Sequence, residues 1–206
     1  MKPTGAWRIC VDYRALNNIT TKDAYPLPRI DDSYMQLQGT RYFTSLDMQN
    51  GYWQMPLDKD SIPKTAFSSR YGQYEWRVMP QGLTNAPASF QRAMNNILSP
   101  FLDKFCMVYL DDILMYSRTE IEHKKHVKTV LRALDEAKLI LNLEKYRFGQ
   151  QSIRFLGHII SAEGIQMQFC ANLYATFCGG LYTNFIWVYC VGYPKSFKNG
   201  NSPVLS

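Results

Sequence analysis

The organisation of the chain is clearest around residues 105–117, which read Phe105-Cys106-Met107-Val108-Tyr109-Leu110-Asp111-Asp112-Ile113-Leu114-Met115-Tyr116-Ser117. Two apolar runs, rich in β-branched and aromatic residues, flank a pair of aspartates, and this pattern predicts a β-hairpin with the acids at its turn. At a turn, carboxylates stay charged and can share a hard divalent cation such as Mg²⁺, which binds oxygen ligands and leaves room for phosphates. Asp-Asp is also ordinary turn chemistry, so the pair alone leaves both interpretations open.

The composition is that of a globular domain. The chain has 206 residues, of which 46% are hydrophobic and 19% are charged, which suits a domain with a real core. The net charge of +6 is compatible with a polyanionic partner, but a solvated surface can carry the same excess. The five cysteines form no Cys-x-x-Cys pair, which argues against a zinc site and favours a reducing compartment. Because the N-terminus lacks the apolar core of a signal peptide, we expect an intracellular location, in the cytoplasm or nucleus.

Regular elements are predicted on both sides of the hairpin. Residues 41–47 are rich in β-forming side chains and predict a strand, and residues 64–79 predict a second hairpin around a polar, glycine-bearing turn. Asn85 or Ala86 is expected to cap a helix whose first turn accepts the following proline. Residues 119–139 form the clearest amphipathic helix of the chain.

The order of these elements predicts the fold class. Strand, helix, hairpin, helix and strand is the order of a split βαβ unit, so we predict an α+β domain with an antiparallel sheet and both helices on one face. In this arrangement Asp47, at a strand end, can converge with Asp111 and Asp112 at the neighbouring turn. Three acids at one point can hold two metal ions, one activating a hydroxyl and the other neutralising charge on the leaving group.

Two histidines, His123 and His126, lie three residues apart on the amphipathic helix. A structural metal site needs further ligands, and neither a matching acid nor a third ligand accompanies them. We therefore expect both imidazoles to be solvated.

Five stretches resemble, in the family's own order, the signature motifs of the reverse transcriptases of gypsy-class long-terminal-repeat retrotransposons. They are residues 7–17 (WRICVDYRALN), 43–52 (FTSLDMQNGY), 79–90 (MPQGLTNAPASF), 109–112 (YLDD) and 155–158 (FLGH). A lone Asp-Asp pair would be a weak signal, whereas five motifs in order over most of the chain are specific.

The resemblance implies an RNA-directed DNA polymerase with the right-hand fold, acting on an RNA or DNA template with a primer and on deoxynucleoside triphosphates. Residues 1–40 would be partial fingers. Residues 41–164 would be the palm, with a fingers insertion at about 60–80 and the start of the primer-holding hairpin. The fingers strands before Lys2 and the thumb that would follow residue 164 are not recognised, so we expect a domain truncated at both ends.

The resemblance also implies which acids are catalytic. Asp47, Asp111 and Asp112 match the family's catalytic and metal-binding carboxylates, with Asp47 and Asp111 as the main ligands and Asp112 in a supporting place. The implied cofactor is a pair of Mg²⁺ ions, for which Mn²⁺ can substitute.

Four further residues match nucleotide-binding positions of the family. Tyr52 matches the steric gate, a ring that stands where a ribose 2′-hydroxyl would go. Arg8 matches the residue that grips the incoming triphosphate, and Lys2 matches its partner. Gln81 matches a residue near the sugar of the incoming nucleotide. Without the motifs, a tyrosine at this position would be core packing and Pro-Gln-Gly a plain turn.

Near the end of the resemblance, Phe155, Leu156 and Gly157 match the hairpin that holds the primer terminus, although an ordinary core strand would look similar. Lys145 falls where the family has a lysine after the long helix. Here Lys-Tyr-Arg-Phe replaces the more usual Lys-Cys-x-Phe, so we assign Lys145 no role as a catalytic proton donor.

Residues 165–206 differ abruptly in composition from the rest of the chain. They contain no acidic residue, have only Lys195 and Lys198 as charges, and hold three of the five cysteines. This change predicts an unrelated apolar tail produced by a frameshift or a mis-joined exon. Residues 169–193 are uncharged and long enough to cross a bilayer, but their asparagines, glycines and tyrosines dilute the hydropathy and argue against a membrane span.

Three functions therefore stay open from the sequence. The first is reverse transcription, in which a primer 3′-hydroxyl attacks the α-phosphate of a deoxynucleotide. The second is that of a catalytically inactive retrotransposon remnant that still binds nucleic acid through its basic surface. The third is that of a small membrane-associated protein defined by its tail. The three intact acids favour the first as the ancestry of the chain, whereas the truncation expected at both ends favours the second as its present activity.

Overall fold

A computed structural model describes residues 10–26, 28 and 35–167, all of which belong to one compact unit, Met1–Gln168. The described helices are α1 (Arg14–Ile19), α2 (Ala86–Leu98) and α3 (Glu120–Glu136). The described strands are β1 (Tyr42–Asp47), β2 (Phe67–Ser69), β3 (Gly72–Tyr74), β4 (Cys106–Tyr109), β5 (Asp112–Ser117), β6 (Arg147–Gln150), β7 (Ser152–Phe155), β8 (His158–Ser161) and β9 (Gly164–Met167). The predictions for Lys2, Arg8 and residues 168–206 lie outside the described residues.

The central sheet has four strands in the order β4-β5-β1-β6. Each neighbouring pair is antiparallel, and β6 at the edge pairs with β1 through a shifted register. The hairpin predicted from the opening stretch is confirmed, with Leu110 and Asp111 in its turn and Asp112 as the first residue of β5. Because side chains alternate along a strand, this register decides which residues share a face.

One face of the sheet is covered by both long helices, as predicted. Leu46, Ile113 and Met115 point from the sheet into a core that includes Phe90 of α2 and Leu134 of α3, all fully buried. The amphipathic helix begins where its Thr119 hydroxyl accepts a hydrogen bond from the Glu122 N–H, as an N-cap residue does. The α+β fold with helices on one face is therefore confirmed.

The opposite face is covered at one end by a second sheet of β7, β8 and β9. Phe43 and Leu114 pack there against Ile153 and Ile160 in a second buried cluster. Strand β9 extends past residue 164 to Met167, so the small sheet continues beyond the palm boundary inferred from the motifs. The other end of this face, where β1 ends and β5 begins, carries an open cavity.

Between β1 and α2 the chain forms the short hairpin β2–β3. The hairpin was predicted with strands at residues 64–67 and 74–79 around a turn at 68–73. These bounds are wrong, because β2 and β3 occupy most of the predicted turn and residues 63–65 form a 3₁₀ turn.

Helix α2 begins at Ala86 with Asn85 as its N-cap, but the Asn85 side chain makes no cap hydrogen bond. It accepts a hydrogen bond from the Asp23 N–H at 3.0 Å and donates one to the Thr21 carbonyl at 2.9 Å. The Asn85 side chain therefore holds residues 21–25 against the start of α2 instead of capping the helix.

The prediction that His123 is solvated is wrong. His123 is 3% exposed, with Thr44 Oγ1 2.6 Å from its Nε2 and Ser117 Oγ 2.9 Å from its Nδ1. His126 is half-buried, and its ring stacks on Phe105 at 3.8 Å between centroids. The helical pattern could not reveal this burial, because one of the two partners, Thr44, lies 79 residues away in the chain. Within the described part of the chain, no helix is long and apolar enough to span a membrane.

Candidate active site

Asp47 and Asp112 lie directly opposite each other in the register of β1 and β5. Both side chains project from the face that the long helices leave uncovered. They open into a cavity of about 530 Å³. Polar and aromatic side chains of the following segment complete its lining: Ser45, Glu144, Lys145, Tyr146, Arg147, Phe148 and Gln150.

A lysine contacts the first of these acids. Lys145 ends the short 3₁₀ turn Leu143–Lys145, and its Nζ donates hydrogen bonds to both carboxylate oxygens of Asp47 at 3.0 and 2.9 Å. The Lys145 side chain is 61% exposed, so the ion pair contributes little to stability, about 0 to 1 kcal/mol by analogy with other exposed pairs. Lys145 was predicted to lie at the position of the family's lysine but not to act as a proton donor, and its contact with Asp47 could not be predicted from the Lys-Tyr-Arg-Phe segment.

The charges in this cavity alter the acidity of Asp112. Burial raises the pKa of its carboxyl group above the ordinary value, and the negative charge of Asp47 raises it further, while Lys145 lowers it. Two neighbouring carboxylates disfavour each other's ionised form. A cation between them relieves that repulsion, so the pair is suited to binding positive charge.

Asp111 lies in different surroundings, within the β4–β5 turn. Its carbonyl accepts a hydrogen bond from the Met48 N–H at 3.2 Å, and its Oδ1 is buried against Gly51. A Cβ atom at Gly51 would overlap this oxygen and would lie 3.0 Å from Phe90 Cζ. The glycine is therefore what allows the Asp111 side chain to occupy this position.

The structure thus brings two of the three acids into one cavity and holds the third beside Gly51. Carboxylate oxygens are suitable donors for Mg²⁺, which commonly takes only one or two protein carboxylates, and Asp47 with Asp112 fits that requirement. Among the residues that the structure describes, no group of three or more His, Cys, Asp or Glu side chains is arranged to hold a metal ion. The carboxylates of Asp47 and Asp112 can therefore hold one cation, and a second cation would need Asp111 as a ligand.

Tyr52 lies close to Asp111. Its ring packs edge-on against Phe90, with 5.3 Å between centroids, and it is half-buried. Burial raises the pKa of the Tyr52 hydroxyl, and the charge of Asp111 adds to the effect. Gln81, the other described nucleotide-site candidate, is half-buried in the loop before Gly82. The described contacts do not join Gln81 to the acids.

The three predicted primer-binding residues have different exposures. Phe155 is 3% exposed and packs in the second core cluster. Leu156 and Gly157 form the turn between β7 and β8, with φ angles of 47° and 77°, and Gly157 is exposed. The turn is therefore available for a contact, whereas the Phe155 side chain supports the hairpin from inside.

Several known proteins are similar in sequence to this chain. Residues 1–160 match the family model described as reverse transcriptase (RNA-dependent DNA polymerase). The chain is 47% identical, over 160 residues, to the retrovirus-related Pol polyprotein from transposon 297 of Drosophila melanogaster, covering 78% of this chain and 15% of that polyprotein. It is 49% identical, over 126 residues, to an RNA-directed DNA polymerase homolog of Oenothera berteroana, covering 60% of this chain and 89% of the homolog.

Solved structures show the same fold. The foamy viral protease-reverse transcriptase in complex with an RNA/DNA hybrid superposes with a TM-score of 0.73 at 31% sequence identity. The match covers 81% of this chain and 22% of the foamy viral chain. This chain thus spans a small part of the longer proteins that it matches, and that part includes the strands and turn that carry Asp47, Asp111 and Asp112.

Proposed function

The chain belongs to the reverse transcriptase family, and on that premise we propose that it supplies the palm of an RNA-directed DNA polymerase. The proposed reaction is nucleotidyl transfer. The primer 3′-hydroxyl loses its proton to water, and its oxygen forms a bond to the α-phosphorus of a deoxynucleoside triphosphate. The bond from that phosphorus to the bridging oxygen breaks, and pyrophosphate leaves. Such chemistry depends mainly on positioning and on electrostatic stabilisation rather than on covalent catalysis by the protein.

The observation that carries this proposal is the pairing of Asp47 with Asp112 across two strands at an open cavity. The strand register holds the two carboxylates side by side, so their position does not depend on a flexible loop. Burial and then the charge of Asp47 raise the pKa of Asp112, and a bound cation would offset both effects. A cation held by the pair would supply the positive charge that phosphoryl oxygens need.

Reverse transcriptases generally use divalent metal ions, and we assign Asp47, Asp111 and Asp112 as the residues that would hold two Mg²⁺ ions or, as substitutes, Mn²⁺. Bound ions would favour the attacking alkoxide and neutralise charge on the leaving group. The protein's own contribution is the fixed placement of the carboxylates. Lys145, bonded to Asp47, contributes a further positive charge at the cavity.

The proposed substrates are a template-primer duplex and deoxynucleoside triphosphates. The foamy viral enzyme was solved with an RNA/DNA hybrid and, in another structure, with double-stranded DNA, and a net charge of +6 is compatible with such a polyanion. Leu156 and Gly157 would contact the primer end, and Phe155 would support their turn. Tyr52 would exclude a 2′-hydroxyl from the nucleotide site.

The remaining assignments in the nucleotide site concern residues away from the acids. Gln81 would lie near the sugar of the incoming nucleotide, and Arg8 with Lys2 would bind its triphosphate. These roles rest on the position of each residue in the family's motifs.

A second candidate function is nucleic-acid binding without catalysis. One observation favours it. Of the three acids, Asp47 and Asp112 line the cavity, and Lys145 forms an ion pair with Asp47 where a metal ion would bind. A protein of this kind would bind a duplex through phosphate contacts, which weaken steeply with salt, and would not extend a primer.

Primer extension separates the two candidates. The full chain is incubated with poly(rA), an oligo(dT) primer, dTTP and either Mg²⁺ or Mn²⁺, in parallel with an Asp111→Asn, Asp112→Asn double variant. The proposed polymerase extends the primer and the double variant does not. Salt-sensitive duplex binding without extension, from folded parent protein, would instead support the binding function.

A further inference from the structure

A buried amide on helix α2 contacts the turn that carries Asp111. Gln91 is fully buried, at 0% exposure. Its Oε1 accepts a hydrogen bond from the Leu110 N–H at 2.7 Å, and its Nε2 donates to the Val108 carbonyl at 3.1 Å. The same Nε2 donates to Asn95 Oδ1 at 2.9 Å. Both amide hydrogens and the amide oxygen are thus used.

These contacts allow only one orientation of the amide. The Leu110 N–H can only donate, and the Val108 carbonyl can only accept, so exchanging the oxygen and nitrogen of Gln91 would break both bonds. Asn95 fixes the orientation further, because its own Nδ2 donates to the Tyr25 hydroxyl at 2.9 Å. A polar chain therefore runs from Tyr25 through Asn95 and Gln91 to the backbone of Leu110.

The backbone at the end of this chain has an unusual conformation. Leu110 has a φ angle of 51°, in the left-handed region that a branched, non-glycine residue adopts at a cost. Leu110 directly follows the last residue of β4 and directly precedes Asp111. The hydrogen bond from the Leu110 N–H to Gln91 therefore influences the direction in which Asp111 continues from the turn.

We propose that Gln91 is a positioning residue that holds the Leu110 turn in its left-handed conformation and so fixes the Asp111 carboxylate for cation binding. Asn95 and Tyr25 act behind it by orienting the amide. The cation-binding part rests on the proposed function, because it assigns Asp111 to the metal site. Gln91 itself does not touch substrate, since α2 buries it behind the turn.

Three variants of the full chain test this role. Gln91→Met keeps the length of the side chain and removes its hydrogen bonds, while Gln91→Glu keeps an acceptor for the Leu110 N–H. Met94→Ala is the matched control, because Met94 lies on the same helix and is equally buried but has no described hydrogen bond to the turn. The measurements are hydrogen–deuterium exchange of the Leu110 amide by NMR, the Kd for Mn²⁺ by electron paramagnetic resonance, and kcat and KM for dTTP.

For Gln91→Met we expect at least 10-fold faster exchange at Leu110. We expect the Mn²⁺ Kd to rise by about 10-fold, within the range of about 10-fold to 100-fold typical of residues that support metal ligands. In extension assays kcat should fall while KM for dTTP changes less than about twofold, since the nucleotide contacts are untouched. Gln91→Glu should retain the slow exchange of Leu110, and Met94→Ala should lose stability but keep the parent Kd.

Parent-like Leu110 exchange and Mn²⁺ affinity in Gln91→Met would overturn the inference, and so would an equal loss of Mn²⁺ affinity in Met94→Ala. A parent chain that binds no Mn²⁺ would overturn it as well. If the parent binds Mn²⁺ but does not extend a primer, the proposed polymerase function fails. In that case a weaker Mn²⁺ affinity in Gln91→Met would still support the positioning role.

Discussion

Lys145 and Asp47, which are 98 residues apart in the chain, are joined by two hydrogen bonds at the open end of the central sheet. The turn after α3 brings the ammonium group to the end of β1, where Asp112 faces Asp47 from β5. The site therefore combines a pair of neighbouring carboxylates with the positive charge of Lys145. Its properties depend on the balance between these three groups.

The first prediction concerns that balance. Replacing Lys145 by methionine removes the positive charge that lowers the pKa of Asp112 and leaves the burial and the Asp47 charge that raise it. We expect the pKa of Asp112 to rise further. It can be followed by the carboxyl ¹³C chemical shift during an NMR titration. Lys124→Met, which breaks an exposed pair with Glu120 on α3, should leave the titration of Asp112 unchanged.

The second prediction concerns Gly51, which lies against Asp111. A Gly51→Ala methyl group would overlap Asp111 Oδ1 and press on Phe90, so the acid must move. We expect primer extension to be largely lost, with a stability loss of about 1 to 3 kcal/mol from overpacking. Circular dichroism and urea unfolding would check the fold. Full extension activity in the alanine variant would contradict the placement of Asp111 in the site.

The third prediction concerns sugar discrimination at Tyr52. The ring packs on Phe90, so Tyr52→Phe should keep the ring in place and retain the preference for deoxynucleotides. Tyr52→Val removes the bulk and should allow ribonucleotide incorporation. The measurement is the ratio of kcat/KM for dTTP to that for UTP in each variant. An equal loss of discrimination in both variants would point to the hydroxyl group instead of the ring.

The fourth prediction is a pH dependence of stability that comes from His123. Burial lowers the pKa of His123 below its ordinary value of 6.5, and the neighbouring His126 adds to the shift. The unfolded chain therefore binds more protons than the folded chain near that value, so the free energy of unfolding should decrease as the pH falls below about 6.5. Burial also lowers the pKa of His126, against the opposing charge of Glu122, which adds to the same trend.

Urea unfolding at pH 7.5 and pH 5.5 measures this effect. His123→Gln removes the group that titrates, and we expect it to reduce the difference in unfolding free energy between the two pH values. Lys128→Gln, on the exposed side of α3, is the control and should keep the difference seen in the parent. If the difference in unfolding free energy between the two pH values is the same in the parent and in His123→Gln, the buried imidazole is not responsible for it.

The parts of the fold that were predicted correctly depend on local patterns. Alternating and apolar runs located β1, β4 and β5, and the 3.6-residue period located α3, because each pattern is contained within its own element. The Asp-Asp turn followed from the same hairpin. Recognition of the five motifs then supplied the family, which composition and periodicity alone could not supply.

The parts that could not be predicted depend on partners distant in the chain. The burial of His123 requires Thr44, 79 residues away. The ion pair of Lys145 requires Asp47, 98 residues away. Asn85 was identified as a cap from its type, but its side chain binds the 21–25 segment instead. In each case the residue type was correctly read as polar, and only the three-dimensional arrangement decides what it contacts.

The acid pair at the ends of β1 and β5 is proposed to serve template-directed DNA synthesis. The decisive experiment compares primer extension on poly(rA)/oligo(dT) by the parent chain, by Asp47→Asn and by Asp135→Asn. Asp135 is an exposed acid on α3, away from the cavity, so its variant has the same change in charge. We expect extension by the parent and by Asp135→Asn, and its loss in a folded Asp47→Asn. Undiminished extension by Asp47→Asn would contradict the proposed role of the acid pair.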